Sequence, residues 1–276
     1  MPESGFGGFG IGSGLRRHLR LVWAALRLSV LRALEYRVGF WTEAVVGVAW
    51  SLAGMAPLLV ALEHRPDIAG WGAWEVVMLT GFYMIMSGAY ASLLEPALFE
   101  TMDKIRRGTL DYLLLRPVDS LVSCLVSAFQ PWALLEVGAG MAVVLVAALR
   151  LEVDPSWAQL GSMLAVLVSG GVALYALGVF ILSASFRAMQ LQNLGFLLET
   201  VLSFGRWPID VFRGPLRAVF TFVVPLGVMT SFPAAALLGR LGAQEVCGAL
   251  VSALVLAISA RLSWRRGLSG YTSASS

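Results

Sequence analysis

Four carboxylates in this sequence fall where carboxylates are rare. Glu43, Glu95, Glu136 and Glu199 lie within or at the ends of long apolar runs, and ionisable groups in such runs usually face a bundle interior or a water-filled cavity. The chemistry open to them is proton carriage or the lining of a polar path. Glu136 lies deepest, with Gln130 and Pro131 a turn or two earlier, and Glu199 shares a short run with Gln190, Gln192 and Asn193. Glu136, Glu199 and Gln130 are therefore the candidates for a translocation path. For Glu43 and Glu95 the simpler reading is favoured: both sit close to the expected cytoplasmic boundary, where they reach the interface or pair with arginine.

A second group is the polar stretch from Glu100 to Ser120. It contains Asp103, Lys104, the pair Arg106 and Arg107, Asp111, Arg116 and Asp119, and an ionised side chain at mid-membrane costs about 3 kcal/mol or more. The stretch is therefore a loop on the water side of a membrane. Its first part, Glu100 to Arg107, reads as a helical extension of the preceding run, with Gly108 as the stop and two arginines at the negative end. Thr109 is placed to cap a short helix, Leu110 to Leu115, that ends before Pro117. Leu110, Tyr112, Leu113 and Leu114 would give it more apolar surface than a solvated turn needs, which suits docking onto another protein. The plainer alternative is a basic loop that only fixes topology.

Other chemistries are excluded by what is missing. A phosphate-binding loop needs G-x-x-x-x-G-K-[ST], but the one lysine, Lys104, stands between Asp103 and Ile105. His18 and His64 have no neighbouring nucleophile and belong to different polar segments, so neither a catalytic triad nor a histidine metal site is supported. Cys124 and Cys247 read as small packing residues rather than a disulfide. No enzyme activity, no cofactor and no nucleic-acid partner is expected of the chain.

The elements that must hold these groups are helices in a bilayer. Hydrophobic residues make up 58% of the chain, charged residues 13%, and the mean hydropathy is +0.79, well outside the range of soluble domains. Residues 1–14, rich in Gly and Ser, are expected to be disordered. Residues 15–37 interleave Arg16, Arg17, Arg20, Arg27, Arg32 and Arg37 with apolar residues at spacings of three and four, the pattern of an amphipathic helix lying among anionic lipid headgroups. A cleaved signal peptide is disfavoured. A transmembrane domain then covers residues 38–262, and 263–276 form a cytoplasmic tail.

Six spans are expected, at 38–62, 74–98, 121–149 with a kink near Gln130, 157–186, about 189–205, and 243–260. Trp71 and Trp74 fit an interfacial belt, and Gly170 and Gly171 a close helix contact. Between spans five and six, Pro225 and Pro233 break an apolar stretch into re-entrant helices. With both termini cytoplasmic, fourteen basic residues lie inside and six outside, Arg206 among the six, in accord with the positive-inside rule. The fold class is thus all-α and integral to the membrane.

The run from Ile105 to Asp119, Ile-Arg-Arg-Gly-Thr-Leu-Asp-Tyr-Leu-Leu-Leu-Arg-Pro-Val-Asp, resembles the signature of one branch of the ABC type-2 permeases. The resemblance extends in layout to the basic N-terminal helix and to the proline-rich segment 207–234. It implies the membrane subunit of an ATP-driven exporter in the bacterial cytoplasmic membrane, paired with cytoplasmic ATPase subunits and a second permease, identical or sister. It also implies that the loop is the coupling helix, with Asp103, Arg106, Arg107, Gly108, Leu110, Asp111, Leu114, Arg116 and Pro117 as candidate ATPase contacts. Two rivals remain: a proton-coupled secondary transporter using Glu136 and Glu199, and a membrane anchor that recruits a partner without transporting.

Overall fold

The computed structural model describes residues 27, 31, 37–111, 115, 119–126, 128–186 and 193–269. The glycine-rich head, nearly all of the expected interfacial helix, residues 112–114 and 116–118 of the polar loop, the start of the expected fifth span and the end of the tail lie outside them. Every extended element among the described residues is helical.

Helix α1 (Arg37–Ala53) and α2 (Ala56–His64) together make up the expected first span, interrupted at Gly54 and Met55. The break has a local cause. Pro57 has no N–H to give the Ala53 carbonyl, and Gly54 and Met55 make turn bonds to Trp50 and Leu52 instead, at 3.0 and 2.9 Å. After a turn closed by Gly70 donating to Asp67 (2.9 Å), α3 (Ala73–Ala89) leads through a π-helical turn, Tyr90–Leu94, into α4 (Glu95–Arg106). Pro96, two residues past the π turn, has no N–H to give the Ser92 carbonyl one turn back.

The third span is broken rather than kinked. Helix α5 (Ser120–Val126) stops before an extended Gln130, and the chain restarts as a 3-10 turn, Pro131–Ala133, and α6 (Leu134–Arg150). Proline forces the preceding residue out of helical geometry, and the freed Gln130 N–H donates to the Ser92 carbonyl at 2.9 Å. Helix α7 (Trp157–Ser185) starts at a capping box in which Ser156 and Gln159 satisfy each other's amides.

Five helical stretches are long and apolar enough to cross a membrane: 38–64, 73–106, 131–150, 157–185 and 243–269. The expected fifth span is different. Its described part, α8 (Asn193–Ser203), has eleven residues, about 17 Å of helix against about 30 Å of hydrocarbon. Its contacts nevertheless climb the α3–α4 rod step by step. Phe196 lies against Phe99, the Gly195 carbonyl accepts from the Tyr90 hydroxyl at 3.4 Å, Arg206 reaches Tyr83, and Asp210 accepts from the Trp71 indole at 3.0 Å. Residues 193–210 thus traverse the height of the bundle with only their first part α-helical.

The proline-rich segment then folds inward and returns. Helix α9 (Gly214–Ala218) and a π turn, Val219–Val223, lead to Pro225, after which a second π turn, Gly227–Ser231, runs into α10 (Phe232–Leu237). Met229 touches Gly170, whose added Cβ would lie 2.9 Å from the Met229 Cα. Gly170 is thirteen residues into α7, about 20 Å from its start. The segment regains the α3 start through Leu237, which packs with Leu58, Trp71 and Val76, and through Arg240 paired with Glu75 at 3.0 Å. Helix α11 (Ala243–Ser269) continues past the expected end at Ala260, carrying Arg261, Arg265 and Arg266 on helix.

Two helix pairs form the frame. Helix α3 packs on α6, and α7 on α11, more extensively than any other pair. In the first, Gly81, Gly88 and Gly140 bring backbones together: a Cβ on Gly140 would lie 2.7 Å from the Gly81 carbonyl oxygen. Such small-residue seams supply the close packing that apolar lipid cannot drive. Of the two glycines expected at a contact in α7, Gly170 makes one and Gly171 has nothing within 4 Å. Trp71 is buried against Asp210 rather than forming a belt, while exposed Trp74 lies 5.5 Å beneath the Arg150 guanidinium.

Candidate translocation cavity and cytoplasmic loop

The breaks in α1–α2, α5–α6 and α8 meet around one cavity of about 580 Å³. Glu95, Glu136 and Glu199 all line it, with Ser51, Ser87, Tyr83, Tyr90, Thr200 and Arg206 as further polar groups and Trp50, Trp132 and Phe196 as aromatic ones. Glu136, at the first turn of α6, is buried and accepts a hydrogen bond from the Ser51 hydroxyl of α1. Gln130 is not in the wall. Its amide instead ties the α5–α6 break to Ser92.

Glu95 departs from the sequence expectation. Among the described residues it makes no ion pair with arginine, and it stands in the cavity wall at the start of α4 instead of reaching the interface. Arg206 departs further. Expected outside the membrane, it follows the broken α8 and lies with its guanidinium 4.8 Å from the centre of the Tyr83 ring, one Nη donating to the Tyr83 hydroxyl at 3.2 Å. Tyr83 is ten residues into α3, about 15 Å from its start. Among the described residues the buried Arg206 Nε has no hydrogen-bond partner, and the guanidinium occupies the space a side chain at Gly54 would need.

The polar loop begins as a direct continuation of the same rod. Helix α4 closes in a Schellman motif: the Thr109 amide bonds to the Lys104 carbonyl (3.0 Å), the Gly108 amide to that of Ile105 (3.2 Å), and Gly108 takes φ +67°. Only glycine adopts that region without strain. Asp103 is chelated by both arginines, Arg106 at 2.6 Å and Arg107 at 2.8 Å, leaving the two guanidinium groups half exposed or more. Thr109 turns its hydroxyl back toward Lys104, while a helical bond from the Leu115 amide to the Asp111 carbonyl (3.0 Å) follows it.

Leu110 is wholly buried with Met102, Ile105, Leu121 and Cys124. It pins the loop to the bundle rather than offering a surface. Asp111 is partly exposed, and Leu114, Arg116 and Pro117 lie outside the described residues. The far end of the loop is lashed to α11: Arg261 and Asp119 form a two-pronged ion pair, one arm 2.9 Å long. Beside it the Trp264 indole donates to the Ser120 hydroxyl at 3.0 Å.

A family model described as ABC-2 family transporter protein matches residues 48–275. The chain belongs to the ABC-2 transporter family. No curated protein and no solved structure matches it. Membership makes the helical bundle the permease part of an ABC transporter, a multi-pass membrane protein. In this ABC-2 permease the wall residues that sequence reasoning passed over are Arg206, Tyr83, Tyr90, Ser51 and Trp50. Spacing gave no warning of the first, because Arg206 is followed by Trp207 and Pro208 and looks like a loop. The serines and aromatics sit in runs that read as uniformly apolar.

Proposed function

We propose that this permease is the membrane subunit of an ATP-driven exporter, with six crossings counting 193–210, both termini cytoplasmic, and separate ATPase subunits docked on the loop after α4. It works in the bacterial cytoplasmic membrane beside a second permease, identical or sister. The observation that carries this reading is continuity. The helix that ends in the exposed Arg106–Arg107 pair is the helix whose residues Tyr83, Tyr90 and Glu95 form the cavity wall. A push on the loop is therefore a push on the wall, and rigid-body movement of packed elements is an established way of switching access. Asp103, Arg106, Arg107, Gly108 and Asp111, with Leu114, Arg116 and Pro117, form the docking surface, and Leu110 is its anchor.

The test is affinity capture of the detergent-solubilised chain from its native membranes. An ATPase carrying a phosphate-binding loop should co-purify with the natural sequence and be lost when Arg106 and Arg107 are both changed to Glu. Unchanged recovery with the double variant would remove the loop from the mechanism. The three carboxylates sharing one cavity favour proton coupling as the rival reading, which wins if no ATPase is needed and Glu136→Gln with Glu199→Gln abolishes transport.

A further inference from the structure

We propose that the cavity binds an elongated dipolar amphiphile, with a protonated amine at one end and an anionic oxygen group at the other. The two ends of the cavity demand opposite charges. Glu95 and Glu199 line its loop end, and among the described residues neither has a hydrogen-bond or ion-pair partner. Two carboxylates at membrane depth without a cation call for one. Arg206 is the only cation in the wall among the described residues, and it stands toward the other end beside Tyr83. Its Nε is buried with no acceptor among the described residues, and an unmet buried donor costs about 1–3 kcal/mol, more when charged.

Glu136 does not satisfy that donor. It accepts from Ser51, and no ion pair within 4.0 Å joins it to Arg206. The groups left without a hydrogen-bond or ion-pair partner among the described residues are therefore the two carboxylates and the Arg206 Nε. Between these poles the apolar and aromatic groups Trp50, Met86, Trp132, Leu174 and Phe196 share the wall with small hydroxyls such as Ser51 and Ser87. Tyr83 and Glu95 are twelve residues apart on one continuous helix, about 18 Å along its axis. An adjacent ammonium and phosphate, as in a phospholipid headgroup, cannot reach both poles. A molecule with its charges at the two ends of an alkyl or aromatic spacer can, and 580 Å³ falls in the usual range for such ligands.

The inference rests on the transport reading only for its physiological meaning, because binding is measured on the permease without any ATPase. The purified full chain in nanodiscs is titrated with 12-aminododecanoate, dodecylamine and dodecanoate, following the tryptophan emission to which Trp50 and Trp132 contribute. The dipolar probe should bind saturably and about tenfold or more tighter than either single-charge probe, a difference of about 1.4 kcal/mol. Glu95→Gln with Glu199→Gln should reduce it to the level of dodecanoate, and Arg206→Gln to that of dodecylamine. Size-exclusion profiles report folding, and Arg206→Lys, which keeps the charge, serves if the glutamine variant fails to fold and should retain the preference. Dodecylamine binding the natural protein as tightly as the dipolar probe would overturn the proposal. So would equal, unsaturable signals from all three probes. ATPase capture with no preference among probes defeats this inference alone, and binding preference without ATPase capture defeats the exporter reading alone.

Discussion

One side of α3 presents Gly81 and Gly88 to α6, and the opposite side presents Tyr83, Met86 and Ser87, followed by Tyr90 of the π turn, to the cavity. On the glycine side, backbone meets backbone with no room for a methyl group. On the other, large side chains surround open space beside three interrupted helices. The lesson is that this bundle gains its rigidity where residues are smallest. Its polarity is allowed where helices break, because a broken helix in a membrane needs polar neighbours or water for its freed backbone groups.

Alanine substitutions can break that contrast directly. Gly140→Ala puts a Cβ 2.7 Å from the Gly81 carbonyl and 2.9 Å from the Ile85 nitrogen, both backbone atoms that cannot turn aside. It should destabilise the bundle by about 1–3 kcal/mol, read as a lowered midpoint of thermal unfolding in detergent and a reduced monodisperse fraction. Gly54→Ala meets instead the far end of Arg206, a flexible group facing space. Its stability cost should stay below about 1 kcal/mol, while the guanidinium is displaced and binding of the dipolar probe falls. If Gly54→Ala unfolds the protein as readily as Gly140→Ala, the two sides of α3 are not different in kind. Gly171→Ala, with nothing near the new methyl group, sharpens the comparison from the other end. In mid-helix it should raise stability by about 0.5–1 kcal/mol, seen as a higher unfolding midpoint.

Much of the frame is legible in the sequence because it depends on local chemistry. Gly108 ends a helix because glycine takes the left-handed turn there without strain, and the span expected from residue 157 does begin there. Pro131 announces a break, although its full extent depends on Ser92 being at hand to accept the Gln130 amide. The cavity is less legible, since its members come from six stretches far apart in the chain. Glu136 and Glu199 stand out by their charge. Ser51, Tyr83 and Tyr90 do not, because their role comes from the neighbours that tertiary packing supplies. Arg206 misleads: a guanidinium beside Trp-Pro reads as exposed until a tyrosine ring and a missing side chain at Gly54 are seen to receive it.

The single helix from Ala73 to Arg106 has a mechanical meaning as well. At about 1.5 Å per residue it is a shaft of about 50 Å, held along its upper half by the glycine seam. Its five-residue π turn, where one extra residue loosens the regular bonding, lies between that bearing and the Asp103–Arg106–Arg107 handle. Under the docking proposed above, a torque applied at the handle would be taken up first at this joint, where Tyr90 lines the cavity.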